Sequence, residues 1–354
     1  MLCRRLLYAC AFLFVIGTCS AEWVPPWFSV TLHGSANSNV FADSAETYDT
    51  SSSLGLDLAQ PLSGTLLGVY SGGIDSYVEY GSLGSHYHDV GFDWYTRPEG
   101  LDELWVLGGA YWLFYRDTYA LYSKRTFYLD AGASRTWNER TRGRLFASAG
   151  RTRYPDSPDT LDVHHEDFSV GGGVNYAFDL PLALDVELMH EARRYFTMDD
   201  PRTTSFLVGT VRLSGPLDPR TGFAAELTMR EQIDPGQDNL VALYRAGVDP
   251  GTLLWDGWAA GATLNHILDA WKLTLDYRYG EYDYSEALPL DFLASREDAR
   301  GEAMFTAERV LNGGPRWVRP TLVFGYRYVS NRSTYPLYSY TISEFTLTFI
   351  VEPR

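Results

Sequence analysis

The stretch WKLTLDYRYGEYDY, residues 271–284, decides how the rest of the chain is read. Trp271, Leu273, Leu275, Tyr277 and Tyr279 share one parity, and Lys272, Thr274, Asp276, Arg278 and Gly280 share the other. Successive side chains of a β-strand point to opposite faces, so this is a strand with one apolar and one charged face. The same alternation recurs along the chain. Leu54, Leu56 and Leu58 oppose Gly55 and Asp57; Val90, Phe92 and Trp94 oppose Gly91 and Asp93. Phe168, Val170, Val174 and Tyr176 oppose Ser169, Gly171, Gly173 and Asn175. Leu182, Leu184, Val186 and Leu188 oppose Asp185 and Glu187, and Phe223, Leu227 and Met229 oppose Glu226, Thr228 and Arg230. Leu322, Phe324, Tyr326 and Tyr328 oppose Thr321, Gly325 and Arg327. Helical periodicity is almost absent.

Strands in soluble sheets run to about five or six residues; these run to about ten to fifteen and end in Tyr, Trp or Phe. Aromatics make up 15% of the chain, with 25 Tyr and 10 Trp, side chains that favour a boundary between hydrocarbon and water. The expected fold is all-β: a transmembrane antiparallel up-and-down β-barrel, apolar outward to lipid and polar inward to a lumen. Connections alternate between tight turns (60–64, 97–102, 138–143, 179–182, 214–222, 267–271 and 312–316) and longer polar segments (41–50, 154–164, 195–202, 232–251 and 285–299). Pairing the two sets gives about 16 strands, with both termini on the short-turn, periplasmic side. Fourteen is the alternative, because 28–40 and 240–266 are weakly patterned. In 338–351 the apolar parity switches between Ile342 and Phe345, which is read as a β-bulge; the alternative is that the upper part of the strand stands above the membrane.

The first 21 residues differ in kind. Arg4 and Arg5 precede the apolar run 6–17, and TCSA (18–21) supplies small residues for cleavage, the layout of a secretory signal peptide. The alternatives are a short anchor and lipidation at Cys19. A single domain, 22–354, is expected to follow. Cys3, Cys10 and Cys19 all lie in this leader, so the cleaved chain has no disulfide, thiol nucleophile or Cys-ligated metal. Cleavage removes two Arg and no acid, leaving 27 basic against 45 acidic residues and moving the net charge from −16 to −18. So acidic a balance argues against a nucleic-acid partner.

The chain thus resembles the Gram-negative outer-membrane β-barrels. FTLTFIV (345–351) resembles the last strand that such proteins present to the barrel-assembly machinery, although here the chain ends EPR. The final hairpin, 325–349, also resembles the end of the barrel domain of surface lipoprotein assembly modifiers, on Ser330-Asn331 and Tyr338/Tyr340 flanking the last outer loop. The resemblance implies an outer-membrane location, contact with membrane lipid and a lipopolysaccharide-type outer leaflet, and the assembly machinery as a partner during biogenesis. It supplies no functional residues.

Asp162, His164, His165, Glu166 and Asp167 form a candidate metal cluster in an outer loop, but adjacent histidines in extended chain point apart. His33, His86, His88, His190 and His266 fall on separate strands with no catalytic spacing. No catalytic, metal or cofactor site is therefore assigned. The informative set is the charge on the inner parity: Asp57, Asp93, Asp130, Asp185, Glu187, Glu226, Arg230, Lys272, Asp276, Arg278 and Arg327. Charge inside a closed barrel needs water or a partner. It therefore forms either a ladder of pairs that plugs the lumen or the wall of a pore that leans towards cations. The first functional expectation is a channel for small solutes. The alternatives are an export or assembly barrel for surface lipoprotein or polysaccharide, and a rim hydrolase.

Overall fold

The computed structural model describes residues 26–40, 47–155, 164–195, 202–234, 255–284, 296–312 and 317–353. Residues 1–25 and the tips of several of the longer connections lie outside them. The strands are β1 (Trp27–Asn37), β2 (Asp49–Pro61), β3 (Leu66–Tyr77), β4 (Ser85–Thr96), β5 (Glu103–Tyr115), β6 (Lys124–Asn138), β7 (Thr141–Arg153) and β8 (His165–Ala177). They continue as β9 (Ala183–Tyr195), β10 (Arg202–Asp218), β11 (Thr221–Asp234), β12 (Asp256–Leu268), β13 (Trp271–Asp283), β14 (Glu297–Val310), β15 (Val318–Ser333) and β16 (Tyr340–Pro353). Each pairs antiparallel with its sequence neighbours, and β1 pairs with β16, closing the barrel. Closure removes the sheet edges, so every strand amide finds a partner without water.

The sequence expectation of 16 strands is the observed number. The weak pattern of the two doubtful strands has a physical cause. On β1 the outer parity ends in Gly34 and Ala36, which lie opposite Leu347 and Phe345 of β16. In the first half of β12 the residues around Trp258 are small on both faces: Gly257, Ala259 and Gly261 alternate with Ala260 and Ala262. One connection is tighter than expected, since β10 runs through Pro216 to Asp218 and the turn is Pro219-Arg220. Asp218 closes that turn, accepting from the Arg220 amide at 2.7 Å and the Thr221 hydroxyl at 2.7 Å.

The bulge expected in 338–351 is not there. The register of β15 and β16 is continuous from Val318↔Pro353 to Asn331↔Tyr340. Tyr340 and Ile342 instead lie on the inner parity, where Ile342 stands beside the fully buried Val329. The apolar residues change faces because the outer end of the hairpin packs inside the barrel. Register irregularities occur elsewhere, at Thr136/Asn138, Ser205/Phe206 and Pro216/Asp218.

The apolar parity is the exposed one. Leu145, Val170, Leu188, Leu275 and Leu347 are each roughly half exposed or more, whereas the buried hydrophobic residues are few. A water-soluble protein has the opposite distribution. Side chains that bury nothing against protein, in a closed wall of strands 11 to 17 residues long, are covered by hydrocarbon.

Candidate functional site: the inner wall

The registers put all eleven charged residues singled out from the sequence on one face of the wall, the face opposite the exposed apolar side chains. Around the circumference this wall divides in two.

On β2 to β6 three of the acids are held by hydroxyl groups, while Asp49 is held by the backbone amides of Thr50, Glu79 and Tyr80 and Glu103 lies 3.5 Å from Arg142. Asp57 accepts from Ser71 Oγ at 2.6 Å, Asp75 from Ser85 Oγ at 3.0 Å, and Asp89 from Tyr128 Oη at 2.8 Å. Asp93 and Asp130 share the arc, Asp93 between Leu67 and Leu107 and Asp130 between Leu107 and Ser148. Lys124 is the one base on the inner parity of these five strands, and its ammonium lies 5.9 Å from the Tyr111 ring. Tyr77, Tyr87, Tyr111 and Tyr115 line the same arc, with Tyr87 and Tyr111 6.2 Å apart between ring centres.

From β7 to β16 most of the acids are paired with arginine or lysine. Arg144 Nη2 reaches Asp185 at 2.9 Å and Glu187 at 2.5 Å. It crosses β8 to do so, passing over Gly173, where a Cβ would stand 3.1 Å from Arg144 Nε. Arg193 binds Asp167 at 2.5 Å. Arg230 binds Glu191 at 3.1 Å and stacks on Phe206 at 3.9 Å. Glu302 takes both Arg300, at 3.1 Å, and Arg327, at 2.6 Å; Arg327 lies a further 3.7 Å from Glu344. Lys272 lies 3.6 Å from Glu308, Asp276 accepts from Thr263 at 2.6 Å, and Glu226 and Arg278 stand opposite Arg212 and Glu302. The sequence reading missed Asp75, Asp89, Arg144, Arg193 and Glu302. Leu145, Ala147 and Ala149 fix the parity of β7, and that signal was enough to place Arg144 on the inner wall.

Arg144 is 40% exposed, so its pairs contribute little stability, below about 1 kcal/mol. Their larger effect is on charge. Arg144→Ala is expected to leave a folded barrel whose wall is locally more acidic. A reversal-potential measurement should show a shift towards cations.

The histidines form no catalytic arrangement among the described residues. His33 bonds Thr348 at 2.8 Å and His88 bonds Tyr70 at 2.9 Å. At the β10–β11 turn the order is Asp218, Thr221, His266, with the hydroxyl between acid and ring rather than the ring between acid and hydroxyl. His164 Nδ1 accepts from the Tyr154 amide at 3.1 Å, while His165 is buried, 3.5 Å from Asp167. Asp162 lies outside the described residues. Asn331 Nδ2 donates to the Tyr338 carbonyl at 2.6 Å and to Asp298 at 3.1 Å, fastening the turn Pro336–Tyr338.

A closed 16-stranded antiparallel barrel with an apolar outside and a charged inside defines the porin architecture. Solved structures agree. OpdK from Pseudomonas aeruginosa superposes with a TM-score of 0.55 at 11% identity over 93% of this chain and 99% of that one. A BenF-like porin from Pseudomonas fluorescens Pf-5 gives 0.53 at 10% identity, covering 92% and 98%. OccK5 (OpdH) of Pseudomonas aeruginosa gives 0.52 at 11%, covering 93% and 98%. At such identities the likeness is one of fold. No protein-family model matches the chain, and no curated protein matches it.

Proposed function

We propose that the protein is a passive outer-membrane channel for small solutes, with a lumen that favours cations. The carrying observation is the arc of β2 to β6, where Asp57, Asp75, Asp89 and Asp93 are held by hydroxyl groups or by none and Lys124 is the only base. Acids paired with arginine on the remaining wall cancel locally; these do not, so the field of the lumen is set by this arc. Tyrosine faces beside the carboxylates add a surface that attracts organic cations. About sixteen strands is the size at which a barrel leaves an aqueous channel. The neighbours support solute passage as a role of this fold: one structure of OpdK contains vanillate. No catalytic step is assigned to the chain.

The test is a reversal potential in planar bilayers under a salt gradient. The wild type is expected to give discrete conductance steps with a several-fold preference for potassium over chloride. Asp57→Asn, Asp89→Asn and Asp93→Asn combined should bring the ratio close to one. Anion preference in the wild type, or an unchanged ratio in the triple variant, would overturn the reading. Absence of any step, together with loss of a surface component on deletion, would point to the export alternative.

A further inference from the structure

We infer that the outer wall carries a docking patch for the phosphate groups of the outer-leaflet glycolipid, built from Arg125, Arg151, Arg153 and Arg194. These residues lie on the lipid-facing parity, at the ends of β6, β7 and β9 that join the longer connections. All four are exposed. Registers bring them together: Arg125 stands opposite Arg153, Arg151 opposite Glu166, and Glu166 opposite Arg194. Neighbouring strands are about 4.8 Å apart, so the four guanidinium groups cover a surface the size of one sugar-phosphate headgroup.

Three observations point to an anion there. Like charges directly opposite each other in a sheet are destabilising, and Arg125 and Arg153 are such a pair. Glu166 supplies only one carboxylate to the group and lies 3.7 Å from Arg151. Among the described residues Arg125, Arg153 and Arg194 make no ion pair. The chain as a whole is acidic, at −16, so the basic patch stands out against it. At the same height on β11, β13 and β14 the outward parity carries acids instead: Glu231, Glu281, Asp283 and Glu297.

The position selects the ligand. Below the arginines on the same face lie Phe127, Leu129, Leu145, Phe168 and Leu188, an apolar band that acyl chains cover. Trp112 stands beside Arg125, an aromatic at the level where headgroup meets hydrocarbon. A ligand that touches both levels carries acyl chains and phosphate together. Arginine matches phosphate through paired N–H donors, which lysine does not. The end with the longer connections faces outward in barrels of this layout, so the leaflet is the outer one, whose lipid is a phosphorylated glycolipid.

The test uses the full barrel refolded in detergent and titrated with defined lipids under native mass spectrometry. Diphosphoryl lipid A should bind more tightly than its dephosphorylated form or phosphatidylglycerol. Each neutralised arginine should weaken it about fivefold, so Arg125→Gln with Arg153→Gln should cost on the order of 25-fold. Glu281→Gln on the opposite arc should leave binding unchanged. Heat-modifiable gel migration confirms that each variant is folded. If a variant does not fold, the comparison of lipids on the wild type, with its loss at high salt, still decides. Equal binding of phosphorylated and dephosphorylated lipid, or no loss in the double variant, would overturn the inference.

Discussion

Asp298→Ala is expected to destabilise the barrel by about 3–5 kcal/mol, the usual cost of deleting one partner of a buried ion pair. Asp298 and Arg296 are 3% and 6% exposed in their side chains, the most enclosed pair among the described residues. Arg296 holds the carboxylate through Nε at 3.0 Å and Nη2 at 2.6 Å, a two-pronged contact. Its guanidinium is packed between Tyr338 at 3.6 Å and Tyr284 at 4.5 Å, and Asn331 adds a third donor to Asp298. Removing the acid takes the carboxylate from a buried guanidinium and deletes one of the two bonds by which Asn331 fastens the last turn. Urea titration of the refolded protein, followed by heat-modifiable migration, measures the loss. Asn331→Ala, which removes a neutral partner, should cost about 1–3 kcal/mol.

The second large effect is on the opposite face. Leu188→Arg is expected to cost about 2–4 kcal/mol in folding into lipid vesicles, because the charge enters hydrocarbon near the middle of β9. Leu188 is 56% exposed to whatever surrounds the barrel. Thr210→Arg on the neighbouring strand faces the lumen opposite Glu187 and should cost far less. In a soluble protein the two substitutions would rank the other way, since an arginine at an exposed leucine position is then harmless.

How much of this could be read in the sequence follows from how the membrane writes on it. Where both faces were marked, as in β13 with Leu273 and Leu275 against Lys272 and Asp276, alternation gave strand, face and neighbours at once. Where small residues filled both faces, as in the first half of β12, the strand was visible only through its place between turns. The apparent slip at Ile342 came from treating every apolar residue as lipid-facing, whereas the outer end of β16 packs inward against Val329. Pairing between strands was illegible. That Asp185 meets Arg144 across an intervening strand depends on Gly173 leaving room, and that Asp57 meets a serine rather than a cation depends on register. The arginines of the outer patch occupy positions that alternation reserves for apolar side chains, and only the strand ends explain them.

The central claim is that the two faces of each strand meet different media, water inside and hydrocarbon outside. The native cysteines all lie at positions 3, 10 and 19, so a chain beginning at Glu22 accepts single cysteines without background. Introduced one at a time along β13, as Lys272→Cys, Leu273→Cys, Thr274→Cys, Leu275→Cys, Asp276→Cys and Tyr277→Cys, they should react alternately in reconstituted vesicles. Positions 272, 274 and 276 should be labelled by a charged, water-soluble maleimide. Positions 273, 275 and 277, tagged before refolding with a fluorophore, should be quenched by nitroxide-bearing lipid. Uniform labelling of all six positions, or labelling of the odd set with quenching of the even, would contradict the account.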